Sequence, residues 1–415
     1  MTERTERSEA HDGMPSRHRM TERTERSEGH DGMPSRYRMT RLEGLRRPGF
    51  AVGALVALIV LTSVLPPFRT YQLATVGAYL CVTAGLTVLT GLNGQLSLGH
   101  GALMAAGAYT VALVQNDLAD RGATGQWTLL VALGAAVAVT VLAGAAVGVA
   151  AARLRGPYLA GLTLAVAVVV PSVATTFDGV FNSDQGLQVS LAPPPAGLGA
   201  TFPYERWQAW LAWAGAVPVM LLLANLARSR PGRTMRAVRD DEVAARLAGI
   251  DVARVKVLAF VVSAACAGLG GGLFAVLAQS VSPGAFPLSL SLFLLMAIVI
   301  GGIGSLAGAL WGAVLLVALP ALTTAAAESL TVSPALAQRL EGNLPLGIFG
   351  VTLIVVMIGA PGGVHGLLTG LGGRVMRARR GGPAGAAGQA GRELPASAPT
   401  TAETSDTTDP RVGAQ

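Results

Sequence analysis

Charge is scarce in this 415-residue chain: 13% of residues are Asp, Glu, Lys or Arg, about half the share of an ordinary soluble domain. Lysine is nearly absent, with Lys256 the single example, so arginine carries the positive charge. The two cysteines, Cys81 and Cys266, both lie in apolar stretches, which excludes a disulfide framework and a zinc site. Aromatic residues make up only 5%. The apolar mass is therefore Ala, Val, Leu and Gly, a composition suited to close helix packing in lipid. The 53 glycines show no three-residue period, which excludes a collagen-like chain. Between Lys256 and Glu328, 71 consecutive residues carry no Asp, Glu, Lys or Arg. One membrane span needs about 20. The chain reads as a polytopic, all-α membrane protein.

The ends are different material. Residues 1–19 recur as 20–38, differing only at Ala10/Gly29 and His18/Tyr37. With four acids, four arginines and no apolar run, each copy is neither a signal peptide nor a packed domain. It reads as a tandem duplication rather than a docking tail, with Met1, Met20 or Met39 as the start. The segment after Arg380 is rich in Gly, Ala, Pro, Ser and Thr, which predicts disorder. The expected organisation is a polar tail over 1–48, a membrane domain over 49–373 and a second tail over 374–415.

Uncharged apolar stretches fall at about 50–66, 72–92, 95–114, 127–151, 157–176, 207–227, 257–280, 286–304, 306–327 and 343–363. They predict ten helices. The glycine-rich sequence Gly301-Gly302-Ile303-Gly304-Ser305 is either a tight turn or a break within one element. Placing the N-terminus inside puts 17 Arg and Lys on cytoplasmic flanks and four (Arg69, Arg121, Arg206 and Arg339) on the other side. That is the positive-inside bias, and it places both termini in the cytoplasm. Trp127, Trp207 and Trp210 fall at outer helix ends, where amphipathic rings favour the interface. Ten spans divide into halves of five with opposite topology, which predicts an inverted repeat.

The chemistry is narrow. A phosphate-binding loop needs Gly-Lys-Ser/Thr, but Lys256 sits between Val255 and Val257. The chain is thus not expected to be an enzyme, and no catalytic residue, metal site or cofactor is assigned. Ion-coupled carriers place ionisable groups inside the bundle. Here His100 is the only one within a span, so energy is expected from another subunit. The loop 228–256 is the evident docking surface: Pro231-Gly232 breaks the preceding helix, Asp240, Asp241 and Glu242 fall in the first turn of a short helix, and Gly249 ends it. A topology-setting loop that binds anionic lipid is the plainer reading.

From Arg233-Thr-Met-Arg-Ala-Val-Arg239-Asp-Asp-Glu-Val-Ala244-Ala245-Arg-Leu-Ala-Gly249 to Arg254-Val-Lys256-Val-Leu-Ala-Phe260, this loop resembles the coupling loop of ABC-type branched-chain amino acid permeases of the M type. The resemblance implies contact with an ATPase subunit through Arg239, Asp240, Asp241, Glu242, Ala244, Ala245 and Gly249. One departure stands out: Val243 occupies the first core position, and the glutamate lies one residue earlier. Two further segments are similar to the family: Gly91-Leu-Asn-Gly-Gln95-Leu-Ser97-Leu-Gly99-His100, and Gly301-Gly-Ile-Gly304-Ser-Leu-Ala-Gly308. The outer loop 178–206, with Asn182-Ser-Asp-Gln-Gly186-Leu187, resembles a third. That loop either meets a solute-binding protein or is a plain connector.

Gln95, Ser97 and His100 begin a helix with polar groups that must be satisfied inside the protein or by water. They either line a translocation path or form a polar packing patch. Gly268–Gly272 reads as close helix contacts, not as a nucleotide fingerprint. The resemblance implies an importer permease for branched-chain amino acids or related small amino acids and amides. Its expected site is a bacterial inner or plasma membrane, and its implied partners are an H-type permease, two ATP-binding subunits, an extracytoplasmic solute-binding protein and membrane lipids, but no nucleic acid. The rivals are a self-sufficient secondary carrier or channel, and an ABC permease for urea or sugar.

Overall fold

A computed structural model of the chain describes Gly53, residues 55–329 apart from 124, 155–156, 191–193 and 200–201, and scattered positions between 347 and 367. Both tails and most of the tenth expected span lie outside the described residues. Within them the chain is helical, and six helices are long and apolar enough to cross a membrane. This is a multi-pass membrane protein.

In chain order the helices are α1 (Leu55–Val64), α2 (Pro67–Leu86), α3 (His100–Asp120), α4 (Trp127–Arg153), α5 (Pro157–Thr176), the single turn α6 (Asp178–Phe181), α7 (Tyr204–Arg228), α8 (Arg230–Asp240), α9 (Glu242–Leu247), α10 (Val252–Ala278), α11 (Leu288–Gly302) and α12 (Leu306–Ser329). Helix α2 runs on into a π-helical segment, Thr87–Leu92. Polar Gly-rich sequence then takes over, and 93–99 is not helical. The span expected from residue 95 therefore starts five residues late, at His100, because side chains take the backbone groups before it: Thr90 donates to the Gln95 carbonyl, Thr163 accepts from Leu98 N and Ser97 accepts from Gly99 N. The glycine-rich sequence after α11 is a tight turn, with Gly302 and Gly304 at positive φ of 122° and 82°.

Helix α10 is the axis of the bundle. Lipid supplies no hydrophobic drive between helices, so association depends on close approach through small residues. The run Gly268–Gly272 provides it on several sides at once. A Cβ on Gly271 would overlap the Met104 carbonyl of α3, one on Gly270 would press on Ala78 and Val82 of α2, and one on Gly268 would overlap Thr140 of α4. Helices α4 and α10 run antiparallel in this contact: Thr140 meets Gly268, Gly144 meets Ala264, and Gly148 meets Val257 and Phe260. Of its most apolar window, α2 buries 89% within the protein, against 22% for α4 and for α5. Helix α2 is thus interior, whereas α4 and α5 leave most of their apolar surface uncovered by the chain's described residues.

The connection after α5 is more than a plain linker. Leu187–Gln188 pairs antiparallel with Ser280–Val281, and the Asn116 side chain of α3 donates to the Gln188 carbonyl and accepts from the Ser190 N–H. Asn182 turns the chain in the left-handed region at φ 56° and donates to the Gly186 carbonyl.

Candidate functional site: a capped helix pair and a buried polar chain

Helices α8 and α9 form one built element. Ser229 separates α7 from α8, and Pro231 sits in the first turn of α8, where its missing N–H costs nothing. Asp240 closes α8 and pairs with Arg239 at 2.9 Å. It does not belong to the first turn of α9, as the sequence suggested. Asp241 is the N-cap of α9: its Oδ1 accepts from Val243 N at 2.7 Å and Ala244 N at 3.1 Å. Gly249, at φ 79°, ends the helix; its N–H reaches Arg246 O and the N–H of Ile250 reaches Ala245 O. That bond pair is a Schellman closure. Asp251 then caps α10 by accepting from Arg254 N.

The burial pattern corrects one expectation. Ala245 was expected on a small-residue docking surface with Ala244 and Gly249, but it is buried in a satellite core with Val238 and Val252. The outward face of α9 carries Ala244, with Val243 65% and Leu247 85% exposed. Those two apolar side chains, four apart, are neighbours on the helix.

Met235 of α8 is buried in the core of the bundle, and two polar ties add to that anchor. Lys256 Nζ lies 2.5 Å from Glu242 Oε1, with the lysine side chain 6% and the glutamate 33% exposed. Arg246 stands 3.6 Å from the other oxygen of Glu242. Glu242 is therefore directed back to α10, which gives its one-residue displacement a structural purpose. The second tie is Arg239, whose Nη1 donates to the Gly91 carbonyl at 2.7 Å. Its stem presses on Gly94, which sits at φ 73° and has no room for a Cβ. Gly91 in turn abuts Gly304. The π-helical end of α2 is thus clasped between α8 and the α11–α12 turn.

From that clasp the chain passes inward to Ser97 and His100. His100 Nδ1 lies 2.9 Å from Ser97 Oγ, and Nε2 lies 2.6 Å from Ser263 Oγ on α10. An imidazole with one ring proton donates through one nitrogen and accepts through the other, so both ring positions are used. Thr163 of α5 accepts from Leu98 N, and Ser291 of α11 accepts from Gly101 N. The structure brings Ser97 and His100 together and leaves Gln95 apart: its buried amide has no hydrogen-bond partner among the described residues, nor has that of Asn93. Asn93, Ser263 and the Glu242–Lys256 pair were not singled out from sequence. Glu242 and the lone lysine each stood out in the sequence, but nothing there joined them. Among the described residues no cluster of three or more His, Cys, Asp or Glu could hold a metal.

The family described as branched-chain amino acid transport system / permease component matches residues 68–358. The chain belongs to that family. The permease protein LivM of the high-affinity branched-chain amino acid transport system of Escherichia coli K12 is 34% identical over 291 residues, covering 63% of this chain and 66% of LivM. The LivM protein of Salmonella typhimurium is 33% identical over 262 residues, covering 58% and 60%. LivH of Salmonella typhimurium, a second permease protein of such a system, is 27% identical over 255 residues, covering 60% and 82%. The chain thus spans slightly less than two thirds of the LivM relatives' length. The matched family segment contains the α8–α9 element, the Gln95–His100 segment and the α11–α12 turn.

Proposed function

We propose that the chain is a membrane-spanning permease subunit of an ABC importer for branched-chain amino acids or related small amino acids and amides. It acts in a bacterial plasma membrane beside an H-type permease, two ATP-binding subunits and an extracytoplasmic binding protein. The fold is ten spans in a 5+5 inverted repeat with cytoplasmic termini, and starting the chain at Met39, without the duplicated segment 1–38, leaves insertion and transport unchanged.

One observation carries this reading: a capped helix pair that exposes Val243 and Leu247 while being anchored to the bundle by buried Met235 and two polar ties. A loop that only set topology would need positive charge, not two caps, a satellite core and an ion pair. Burying Val243 and Leu247 in a groove of the ATPase subunit supplies affinity, about 1.5–3 kcal/mol for each fully buried side chain. Lys256–Glu242 and Arg239–Gly91 then pass movement to α10 and to the end of α2. The Asn93 and Gln95 amides, buried without partners, are the polar groups best suited to meet an amino acid crossing the bundle.

The test is co-purification. Val243→Ser with Leu247→Ser should leave the permease inserted but reduce retained ATPase at least tenfold, with uptake falling in parallel. Full ATPase retention would remove the docking surface. Ion-driven leucine uptake by the lone chain would instead establish the carrier reading. Single cysteines at Asp184 and Ser229, in a background lacking Cys81 and Cys266, should label from opposite sides of the membrane.

A further inference from the structure

The ends of α4 and α10 that lie beside the α8–α9 element form a groove of about 510 Å³, walled by Val149, Ala152, Val257 and Val261 and rimmed by Arg153 and Arg254. We infer that this groove binds an anionic phospholipid, with its phosphate between the two guanidinium groups and an acyl chain along the valines. The inference rests on the topology proposed above, which puts this end in the cytoplasmic leaflet.

Three observations support this occupant. First, the groove is amphipathic along the helix axes. Its guanidinium groups sit at the last turn of α4 and the first turn of α10, and its apolar walls continue into the span. Basic pockets between helices at this membrane level take anionic headgroups. Second, the positive charge is available. Arg153 has no partner among the described residues, and Arg254 meets Asp251 through Nε alone, at 2.9 Å, while its side chain stays exposed. Third, the walls are unsuited to another helix. The small-residue face of α4, at Gly144 and Gly148, is already used against α10. Beside Ala152 and Ala253 the groove presents the branched side chains of Val149, Val257, Leu258 and Val261, with Val149 half exposed, whereas helix partners in membranes meet mainly through small residues. A partner helix would also have to bring an acid to compensate Arg153.

The position has a consequence for the transporter. Lys256, which holds Glu242 of α9, is two residues from Arg254 on the same turn of α10. A bound headgroup braces the base of α10 at the place where α9 is tied.

The test uses the full chain in detergent and measures retention of phosphatidylglycerol and phosphatidylcholine by native mass spectrometry. Each guanidinium removed should weaken phosphatidylglycerol binding about fivefold, so Arg153→Gln with Arg254→Gln should lose about thirtyfold. Arg153→Lys with Arg254→Lys should restore most of it. Ala152→Phe fills the groove with the charges intact, so it should also expel phosphatidylglycerol, and it carries the test if the glutamine pair does not insert. Phosphatidylcholine retention should be unchanged by the glutamine pair. Equal phosphatidylglycerol retention by wild type and both groove variants overturns the proposal. So does displacement of the lipid by inorganic phosphate at equal concentration, or disulfide capture of an Ala152→Cys variant by a partner permease. None of these results touches the permease reading, which stands or falls on ATPase retention and uptake. Labelling of an Arg153→Cys variant only from outside would overturn the leaflet placement and the topology together.

Discussion

The bundle around α10 and the α8–α9 element hold helices together by opposite means. Between α10 and its long neighbours the contacts are mostly apolar and made by backbones in near contact, as at Gly271 against Met104 and Gly148 against Val257, with the His100–Ser263 hydrogen bond among them. In α8–α9 the helices are short: apart from Met235, which enters the bundle core, they rely on caps, a Schellman closure, an ion pair and a satellite core of Val238 and Ala245 against Val252 of α10. The difference follows from solvent. In hydrocarbon the small-residue contact is the available glue, whereas in water short helices need their ends satisfied. A bundle held by backbones resists change at single glycines, while an element held by polar ties can be altered tie by tie.

The sharpest break in this comparison is Gly271→Leu. Its Cβ alone overlaps a backbone carbonyl, so the bundle must open, at about 3 kcal/mol or more. Solubilised protein should lose its cooperative melting transition, and a wild-type transition would mean that α3 and α10 are farther apart than described. Next comes the ion pair. Glu242→Gln leaves Lys256 without its partner, at about 2 kcal/mol, below the 3–5 of a fully buried pair because Glu242 is partly exposed. A double-mutant cycle with Lys256→Met should show coupling of about 1 kcal/mol or more, and strict additivity would count against the tie. Ser263→Ala, which leaves one His100 nitrogen unpaired inside the bundle, should cost about 1–2 kcal/mol, read as a lower melting temperature. Asp241→Ala removes a cap worth about 1 kcal/mol. Amide exchange should accelerate in α9 while α10 stays protected; equal acceleration in both would show that the element and bundle melt together. The smallest effect belongs to Gly161→Ala, where nothing lies within 4 Å. It should be neutral or stabilise α5 by up to about 1 kcal/mol.

Hydropathy marked the long helices because a span must be apolar whatever it packs against. It could not mark the end of α2, since Thr87–Leu92 is as apolar as a regular helix would be and its π-helical winding leaves no sequence trace. Nor could it show that Gln95 precedes the helix. The docking loop was legible through Pro231, the acids and Gly249, but the facing of Ala245 was not. An alanine reads the same whether it meets a partner or its own chain, and only Val238 and Val252 beside it decide. Ala245→Trp therefore breaks the satellite core rather than probing a docking surface; Leu247 is the position that separates the two. The Ser97–His100–Ser263 chain was half legible. Ser97 and His100 stand in one turn of sequence, but Ser263 lies 163 residues from His100.

The antiparallel seam between α4 and α10 has a consequence for how the protein is made. Roughly one hundred residues separate the end of α4 from the start of α10. At about 5–20 residues per second of synthesis, α4 spends several seconds in the bilayer before its partner exists. A seam of ion pairs would leave bare charges in hydrocarbon for that interval. The stripe of Thr140, Gly144 and Gly148 leaves none: its backbone groups are already bonded within the helix, and the Thr140 hydroxyl donates to Ala136. Its glycines offer lipid a shallow furrow with nothing unsatisfied in it. It is an interface that can wait.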